Sequence, residues 1–457
     1  MKIVILGAGQ VGSSVAESLV SEQNDITVVD TDGARLRGLQ ERFDLRTVVG
    51  SASHPSVLAE AGIDDADLLI AVTQSDETNL VACKLAARMF NVPRRVARIR
   101  ANAFLDNKML LGPDGFDVDL AICPEQVLTD YIVKLVEFPE ALQVLDFANG
   151  KVSLVAVRAY QGGPMVGHPV KEIRAHMPNI DTRIVAIFRH DRAILPEGDT
   201  VIEAGDEVFC LAAAANISKV MRELRRMDQP VKRVMIAGGG NIGLRLARAL
   251  ERDYSVRLIE HNKHRSELLA AKMNQALVLN GDATDEELLE QENIAEMDLF
   301  VAVTNDDENN IMSCLLAKRM GARRVVALIN RRSYVDLLQS GQIDIAISPA
   351  QATIGVLLAH VRRGDVVAVH SLRRGAAEAL EAVVHGDRES CRVTGRSVQE
   401  IDLPAGATIG AVVRGGEVLM AHHDTVIEAE DHVILFVTDK KTLPRVEKLF
   451  QVGARFL

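Results

Sequence analysis

Two glycine-rich hexapeptides carry the residue types that could hold a phosphorylated ligand. Gly7-Ala8-Gly9-Gln10-Val11-Gly12 follows an apolar strand pattern at 2–6 and opens a helical pattern through Ser14-Val15-Ala16-Glu17-Ser18-Leu19. Gly238-Gly239-Gly240-Asn241-Ile242-Gly243 stands in the same setting later in the chain. The first glycine permits a tight turn. The second lets backbone approach phosphates, whose charge meets a helix N-terminus, and the third lets helix and strand pack closely. An acid closes the next strand in each case: Asp30, 30 − 12 = 18 residues after Gly12, and Glu260, 260 − 243 = 17 residues after Gly243. Such an acid accepts hydrogen bonds from adenosine ribose hydroxyls and repels a 2′-phosphate, which favours NAD over NADP. ATP and ADP present the same hydroxyls and remain open.

Thr73 and Thr304 end the fourth strand pattern of their copies, and ligands of open α/β sheets bind beyond such carboxyl ends. Asp76 and Asp307 fall in the following helix's first turn, where Thr, Ser and Asp also cap helices. Capping and ligand contact are both open for Thr73. Arg98 and Arg100 leave the fifth strand near the same rim, to answer a phosphate or a neighbouring acid. The second copy reads Ala327-Leu328-Ile329-Asn330 there, and the loss of both charges implies that the two sites are not equivalent.

The elements that must position these residues are written twice. The glycine motif recurs at 238 − 7 = 231 residues, and Ala71-Val72-Thr73-Gln74-Ser75-Asp76-Glu77-Thr78-Asn79 recurs from Ala302 to Asn310 at 302 − 71 = 231. Asp199-Thr200-Val201-Ile202-Glu203-Ala204 recurs letter for letter from Asp424 at 424 − 199 = 225. This is one duplicated unit, not a short-period solenoid. In the first copy, strand patterns at 2–6, 25–30, 46–50, 67–73, 94–100 and 119–123 alternate with helical stretches, which implies parallel pairing in a doubly wound sheet. After Pro139 the pattern changes to short strands (Val152–Val157, Arg183–Phe188, Glu207–Leu211), closed by a helix over Asn216–Leu224. The expected class is α/β: two tandem Rossmann-like sheets, each followed by a small α+β module. The expected domains are 1–137, 138–228, 232–364 and 365–457, with a linker over Arg225–Lys232. Neither small module buries much core alone, so each is expected to pack on a partner module or another subunit.

The chain of 457 residues is 48% hydrophobic with no Trp, which suits buried parallel strands, and its net charge of −11 disfavours nucleic acid as a partner. Five cysteines without a C-x-x-C pair point to unlinked thiols in a reducing compartment. The chain runs straight into a strand with no signal segment expected, and no apolar run approaches a membrane span. His261, His264, His422 and His423 lack metal-ligand spacing, with His422-His423 expected in an exposed turn. No metal is expected. Met312 and Met320 read as core, and Arg94-Arg95 and Arg323-Arg324 as solvated.

Two units of G-x-G-x-x-G, strand-end acid and A-V-T-x-x-D-E-x-N, each trailed by a β-rich module, resemble the RCK (KTN) domains that regulate conductance in potassium channels and transporters. The tandem arrangement in a free-standing chain resembles the regulatory subunits of Trk-type uptake systems. The resemblance implies a cytoplasmic protein, peripheral on the inner face of the cell membrane. It implies a homo-oligomer, a tetramer forming a gating ring, docked on a membrane potassium channel or transporter subunit of the TrkH/TrkG type. Bound NAD(H), or ATP/ADP, would control ion flux. By position, the first site would comprise Gly7 to Gly12, Asp30, Thr73, Gln74 and Arg98, and the second Gly238 to Gly243, Glu260 and Thr304. Copy one departs in reading Gly50-Ser51 where copy two reads Gly281-Asp282. Glu125, which relatives can use near ligand or ion, becomes Ala350 in copy two.

The alternative is an NAD-dependent oxidoreductase. A dehydrogenase pairs its nucleotide domain with one that supplies an acid or base; here only a short turn-rich module without a His/Lys/Asp constellation follows, so no catalytic residue is assigned. A redox-sensing transcription factor would need a basic recognition helix, which is not visible.

Overall fold

The computed structural model describes residues 1–20, 24–190, 192–224, 230–331, 334, 343–361, 366–372 and 377–451. Most of the expected linker, 225–229, and the expected boundary at 364/365 lie outside the described residues. The chain divides into two compact units. One combines Met1–Asp130 with Arg233–Leu357, and the other combines Tyr131–Lys232 with Leu358–Leu457.

The first unit holds two wound sheets. In copy one the strands are β1 (Lys2–Leu6), β2 (Asp25–Asp30), β3 (Arg46–Val49), β4 (Leu68–Ala71), β5 (Arg95–Arg98) and β6 (Leu120–Ile122). Their order is β3-β2-β1-β4-β5-β6, and every pairing is parallel. The order reverses between β1 and β4, which opens a crevice at their carboxyl ends. The helices are α1 (Gln10–Val20), α2 (Gly33–Gln40), α3 (Pro55–Glu60), α4 (Asp76–Arg88), α5 (Asn102–Leu105), α6 (Lys108–Leu111) and α7 (Pro124–Glu137). β4, Leu-Leu-Ile-Ala, is buried at every position, as a strand covered on both faces must be. α1 buries Val11, Gly12, Val15, Ala16 and Leu19, one stripe of a 3.6-residue period, against the sheet.

The small module of copy one is an antiparallel sheet of β7 (Ala141–Phe147), β8 (Val152–Arg158), β9 (Thr182–Arg189), β10 (Arg192–Ile194) and β11 (Glu207–Ala213), ordered β10-β9-β11-β8-β7. The helices α8 (Ile173–His176) and α9 (Ile217–Leu224) accompany it, α9 burying Ile217, Val220, Met221 and Leu224. The sequence pattern misses β7 because a register shift between Ala141 and Gln143 breaks its alternation.

Copy two repeats both parts. Strands β12 (Arg233–Ala237), β13 (Ser255–Glu260), β14 (Leu277–Asn280), β15 (Leu299–Ala302), β16 (Val325–Leu328) and β17 (Ile345–Ile347) form a parallel sheet in the equivalent order. Its helices include α10 (Asn241–Leu250), α11 (Lys263–Ala270), α12 (Glu286–Gln291) and α13 (Asp307–Arg319). Strands β18 (Val366–Leu372), β19 (Ala377–Val383), β20 (Ala407–Arg414), β21 (Glu417–Met420) and β22 (His432–Val437) form the second small sheet.

The two small modules share one core. Phe147, Phe188, Phe209 and Leu211 of copy one are buried in the same cluster as Leu372, Ala411, Ile434 and Phe436 of copy two. Gly410 is required there, because a Cβ would stand 2.7 Å from the Phe436 ring and 2.9 Å from Leu211. Pooling two small cores is how modules of this size reach enough burial. The verbatim repeat also has a structural cause. Arg189 grips Asp206 at 2.8 Å, Glu203 and the Val201 carbonyl, and Arg414 grips Asp431 at 2.8 Å, Glu428 and the Val426 carbonyl. Asp206 and Asp431 are buried, so each needs its guanidinium.

Three expectations are corrected. Met312 is 59% exposed and is not core, because it sits on the outer face of α13. Arg95 is not solvated: its guanidinium serves the Asp117 and Val92 carbonyls and pairs with Asp119 at 2.9 Å. His422, expected in an exposed turn, is half-buried in a loop, where Arg174 donates to its Nε2 at 2.7 Å, and His423 is exposed. Among the described residues no helix is long and apolar enough to cross a membrane.

Candidate functional site

The glycine turn sits where β1 meets α1, with Gly7 at φ +107°. A Cβ there would press on the Val72 carbonyl at 3.0 Å and on Thr73 backbone at 3.1 Å, so glycine lets the turn lie against the end of β4. Gly12 is more strictly required, since its Cβ would fall 1.8 Å from the Gly7 carbonyl oxygen. Gly9 differs from both: a Cβ there meets nothing within 4 Å. The turn therefore faces open space at the glycine to which the motif assigns close approach of a ligand. In copy two Gly238 (φ +108°), Gly243 (1.9 Å from the Gly238 oxygen) and Gly240 (nothing within 4 Å) repeat this pattern.

The strand-end acids hold the turns in place. The Ala8 N–H donates to Asp30 Oδ2 at 2.6 Å, and the Asp32 N–H to Oδ1 at 2.8 Å. In copy two Gly239 N–H donates to Glu260 Oε2 at 3.0 Å and Asn262 N–H to Oε1 at 2.9 Å. Each Asp30 oxygen retains a further lone pair, while Glu260 Oε1 also lies 3.2 Å from His261 Nδ1. The extra methylene of Glu260 is taken up at the turn: a Cβ at Gly239 would strike Leu269 at 2.3 Å and Glu260 Oε2 at 2.8 Å, whereas copy one carries Ala8 there. Copy two also places Arg265 Nε on the Gly239 carbonyl at 2.7 Å and 3.9 Å from Glu260. The second turn is thus tighter and more cationic.

Thr73 lies beside the turn, but its hydroxyl is engaged. It donates to Asn79 Oδ1 at 2.7 Å and accepts from the Ser75 N–H at 3.3 Å. Asn79, fully buried, also receives the Thr73 N–H at 3.0 Å and donates to the Thr73 and Arg98 carbonyls at 3.3 and 2.8 Å. One amide therefore ties the end of β4 to the end of β5. Thr304 and Asn310 repeat the clamp, with Asn310 reaching the Leu328 carbonyl at 2.9 Å. The Val72 and Ile99 N–H groups still donate to the Leu6 and Ile122 carbonyls at 2.8 and 2.9 Å, and the clamp takes the Thr73 backbone and the Arg98 carbonyl at the ends of the two strands.

Asp76 and Asp307 do not cap their helices. Ser75 and Asp306 do, accepting from Thr78 and Asn309 N–H groups at 3.1 and 2.8 Å. The buried Asp76 instead accepts from Arg100 and Ala101 N–H groups at 2.9 and 2.8 Å, and Asp307 from those of Asn330 and Arg331 at 2.9 and 2.8 Å. The nonapeptide repeat is thus a scaffold for the crevice rim. Asn79 and Asn310 were missed as its centre, although the repeat ends on them.

Gln74 is exposed on that rim, and its carbonyl accepts from the Arg100 guanidinium. Arg98 Nη2 donates to Glu125 Oε1, at the start of α7, at 3.1 Å. The pair is 19% and 13% exposed, and Arg98 Nε is buried with no acceptor. In copy two Leu328 stands at the strand end and Ala350 follows the proline. Both partners are gone together, which removes the ion pair without stranding a charge. Among the described residues no group of His, Cys, Asp and Glu is placed to hold a metal.

With this geometry in view, the comparisons with known proteins are specific. The TrkA-N domain model matches residues 3–122 and 234–349, and the TrkA-C domain model matches 154–225 and 388–451. The Trk system potassium uptake protein TrkA of Halomonas elongata is 59% identical over 456 residues, the whole of both chains. That of Vibrio alginolyticus is 57% identical over 458, again end to end. Among solved structures, the GsuK RCK domain has a TM-score of 0.62 at 19% identity, covering 97% of this chain and 94% of that one. The GsuK channel bound to NAD gives the same score and identity, with 78% of its chain covered.

Proposed function

This chain belongs to the TrkA family of Trk system potassium uptake proteins, and from that premise we propose that it is a nucleotide-binding regulatory subunit gating potassium flux through a membrane partner. Its relatives are named for potassium uptake and not for a catalysed reaction. The observation that carries the nucleotide reading is the open space facing Gly9 and Gly240 at the start of α1 and α10, beside acids already fixed to the same turns. An anionic phosphate there meets backbone N–H groups and the positive end of a helix. The remaining lone pairs of Asp30 and Glu260 receive ribose hydroxyls.

The first site comprises Gly7, Ala8, Gly9, Gln10, Val11, Gly12, Asp30, Thr73, Gln74 and Arg98; the second comprises Gly238, Gly239, Gly240, Asn241, Ile242, Gly243, Glu260 and Thr304. Thr73 and Thr304 serve by shape, holding the strand end against the turn. Arg98, with its buried Nε–H lacking an acceptor, is the group an anionic end of the ligand would recruit. NAD(H) is the ligand this reading prefers, as bound in the structurally similar channel, with ATP or ADP the alternative. The same reading takes 1–137 and 232–364 as nucleotide-binding domains, and 138–228 and 365–457 as the small modules. It places the chain in the cytoplasm, docked as a tetrameric ring on a TrkH/TrkG-like subunit. Ligand then shifts the ring between states it binds unequally.

Calorimetric titration of the full chain with NADH, repeated with ATP, tests this. Two NADH per chain makes both copies ligand sites, and one assigns the second copy to another role. Binding of neither nucleotide sinks the proposal.

A further inference from the structure

One side chain of copy two, Arg245, hydrogen-bonds to three residues of copy one. Arg245 is the fifth residue of α10, the helix whose first turn closes the second glycine turn. Its Nη2 donates to the Arg100 carbonyl at 2.9 Å and to Asn102 Oδ1 at 2.6 Å, and its Nη1 donates to Gln126 Oε1 at 2.9 Å. All three acceptors belong to the far rim of the first site. Arg100 also gives its N–H to Asp76 and its guanidinium to the Gln74 carbonyl. Asn79 holds the Arg98 carbonyl two residues earlier. Gln126 follows Glu125, the partner of Arg98. Arg245 thus holds together the two segments that carry the first site's cationic rim: the turn after β5 and the start of α7. Its counterpart in α1, 245 − 231 = 14, is Ser14, whose short hydroxyl cannot span such a gap.

Resting on the reading that both glycine turns bind nucleotide, we propose that Arg245 is a positioning residue through which occupancy of the second site tightens the first. A ligand on the second turn fixes the N-terminal turns of α10. The planar guanidinium, which satisfies three acceptors only from one position, is fixed with it. The rim of the first site is then held in its binding arrangement before ligand arrives, and less ordering is required on binding. The coupling is reciprocal, so filling the first site tightens the second by the same factor.

The test uses the full chain and NADH. Gly240→Val closes the second site from open space without touching protein atoms at Cβ. First-site affinity is measured by calorimetry with and without Gly240→Val, in the native background and in Arg245→Ala. The expected result is that Gly240→Val weakens the first site about fivefold in the native background, the lower end of ordinary coupling, and leaves it unchanged in the Arg245→Ala background. Arg245→Lys, which keeps the charge and loses the fork, gives an intermediate ratio. A merely structural Arg245 would lower the melting temperature and shift both affinities while leaving their ratio intact. That unaltered ratio, or a ratio of one in the native background, overturns the proposal. Failure of the unsubstituted chain to bind NADH at all is a different result: it removes the nucleotide reading beneath the proposal, and the proposal with it.

Discussion

Two glycines in one hexapeptide should respond to the same methyl group in opposite ways. At Gly9 a Cβ meets no protein atom within 4 Å and the backbone is not left-handed. Gly9→Ala therefore leaves the fold intact or stabilises it slightly, by about 0.4–1 kcal/mol from reduced unfolded-chain entropy. The methyl occupies the approach to the turn's N–H groups, where a phosphate oxygen needs to come within about 3 Å. Loss of one such charge-assisted contact, about 1.5–3 kcal/mol, weakens nucleotide binding at least about tenfold. At Gly12 the same methyl lands 1.8 Å from the Gly7 oxygen, a backbone atom that cannot rotate away. Helix and turn must separate by more than 1 Å to relieve a contact that close, and overpacking of this kind costs about 1–3 kcal/mol or more. Differential scanning calorimetry and NADH titration on the two variants separate the effects. Gly9→Ala should keep its melting temperature and lose affinity, and Gly12→Ala should lose melting temperature first. A Gly9→Ala chain that binds NADH like the parent would refute the assignment of that open face to ligand.

Asp30→Ala removes both a ribose acceptor and the anchor of Ala8 N–H, so the first site should weaken at least about tenfold while binding at the Glu260 site persists; unchanged first-site affinity contradicts this. Asp431→Ala leaves Arg414 its Glu428 and Val426 partners but removes the buried acceptor of both its guanidinium and the Glu428 N–H, and should destabilise the small-module unit by about 1–3 kcal/mol, read by urea denaturation. Cys83 and Cys210 are buried, and burial pushes their thiols up to about 12; a thiol reagent at neutral pH should modify them only after unfolding, and rapid labelling of native protein would contradict the packing. Burial alone would raise the Glu251 carboxyl, but the N–H groups of Gln275, Ala276 and Asn274 and the Asn274 amide outweigh it, taking it from 4.5 to about 2. The stabilisation from this depressed group is present above pH 4.5 and is lost as pH falls toward 2. Glu251→Gln should therefore flatten the acid limb of a melting-temperature profile, and an unaltered limb would exclude Glu251 as its source.

The duplication, the parallel doubly wound sheets and the glycine turns were legible because each depends on local residue choice repeated at fixed spacing. Gly7, Gly9 and Gly12 occupy three different steric environments, and the motif's logic names all three. What was not legible depends on partners distant in sequence. Asp76 sits in the first turn of a helix and reads as a cap, yet its carboxylate belongs to Arg100 and Ala101, 24 and 25 residues on. Met312 has helical spacing with Leu315 and Leu316, but spacing alone does not say which face meets the sheet. β7 was hidden by a bulge at its first residues. The shared core of the small modules was expressed only as a deficit, a pair of sheets each too small to bury itself, and the deficit did point to pairing.

The lost charges of copy two look different once their partners are known. Arg98 and Arg100 read from sequence as two rim cations that copy two had discarded. In the structure Arg98 is bound to Glu125, and the residues in their places, Leu328 and Ala350, are both apolar. Removing one member of a nearly buried pair leaves an uncompensated charge, whereas removing both is often neutral or stabilising. The prediction is a thermodynamic cycle in the first copy. Arg98→Leu and Glu125→Ala should each destabilise, and the double substitution should cost less than their sum by about 1–3 kcal/mol. If the penalties add, the two side chains are independent, and the paired loss in copy two needs another cause. If they do not add, Arg98 and Glu125 act as one unit, and under the proposed reading an anionic ligand drawn to the free Arg98 Nε–H would also act on an ion pair tied to the start of α7. Copy two, lacking both residues, could not reproduce that consequence.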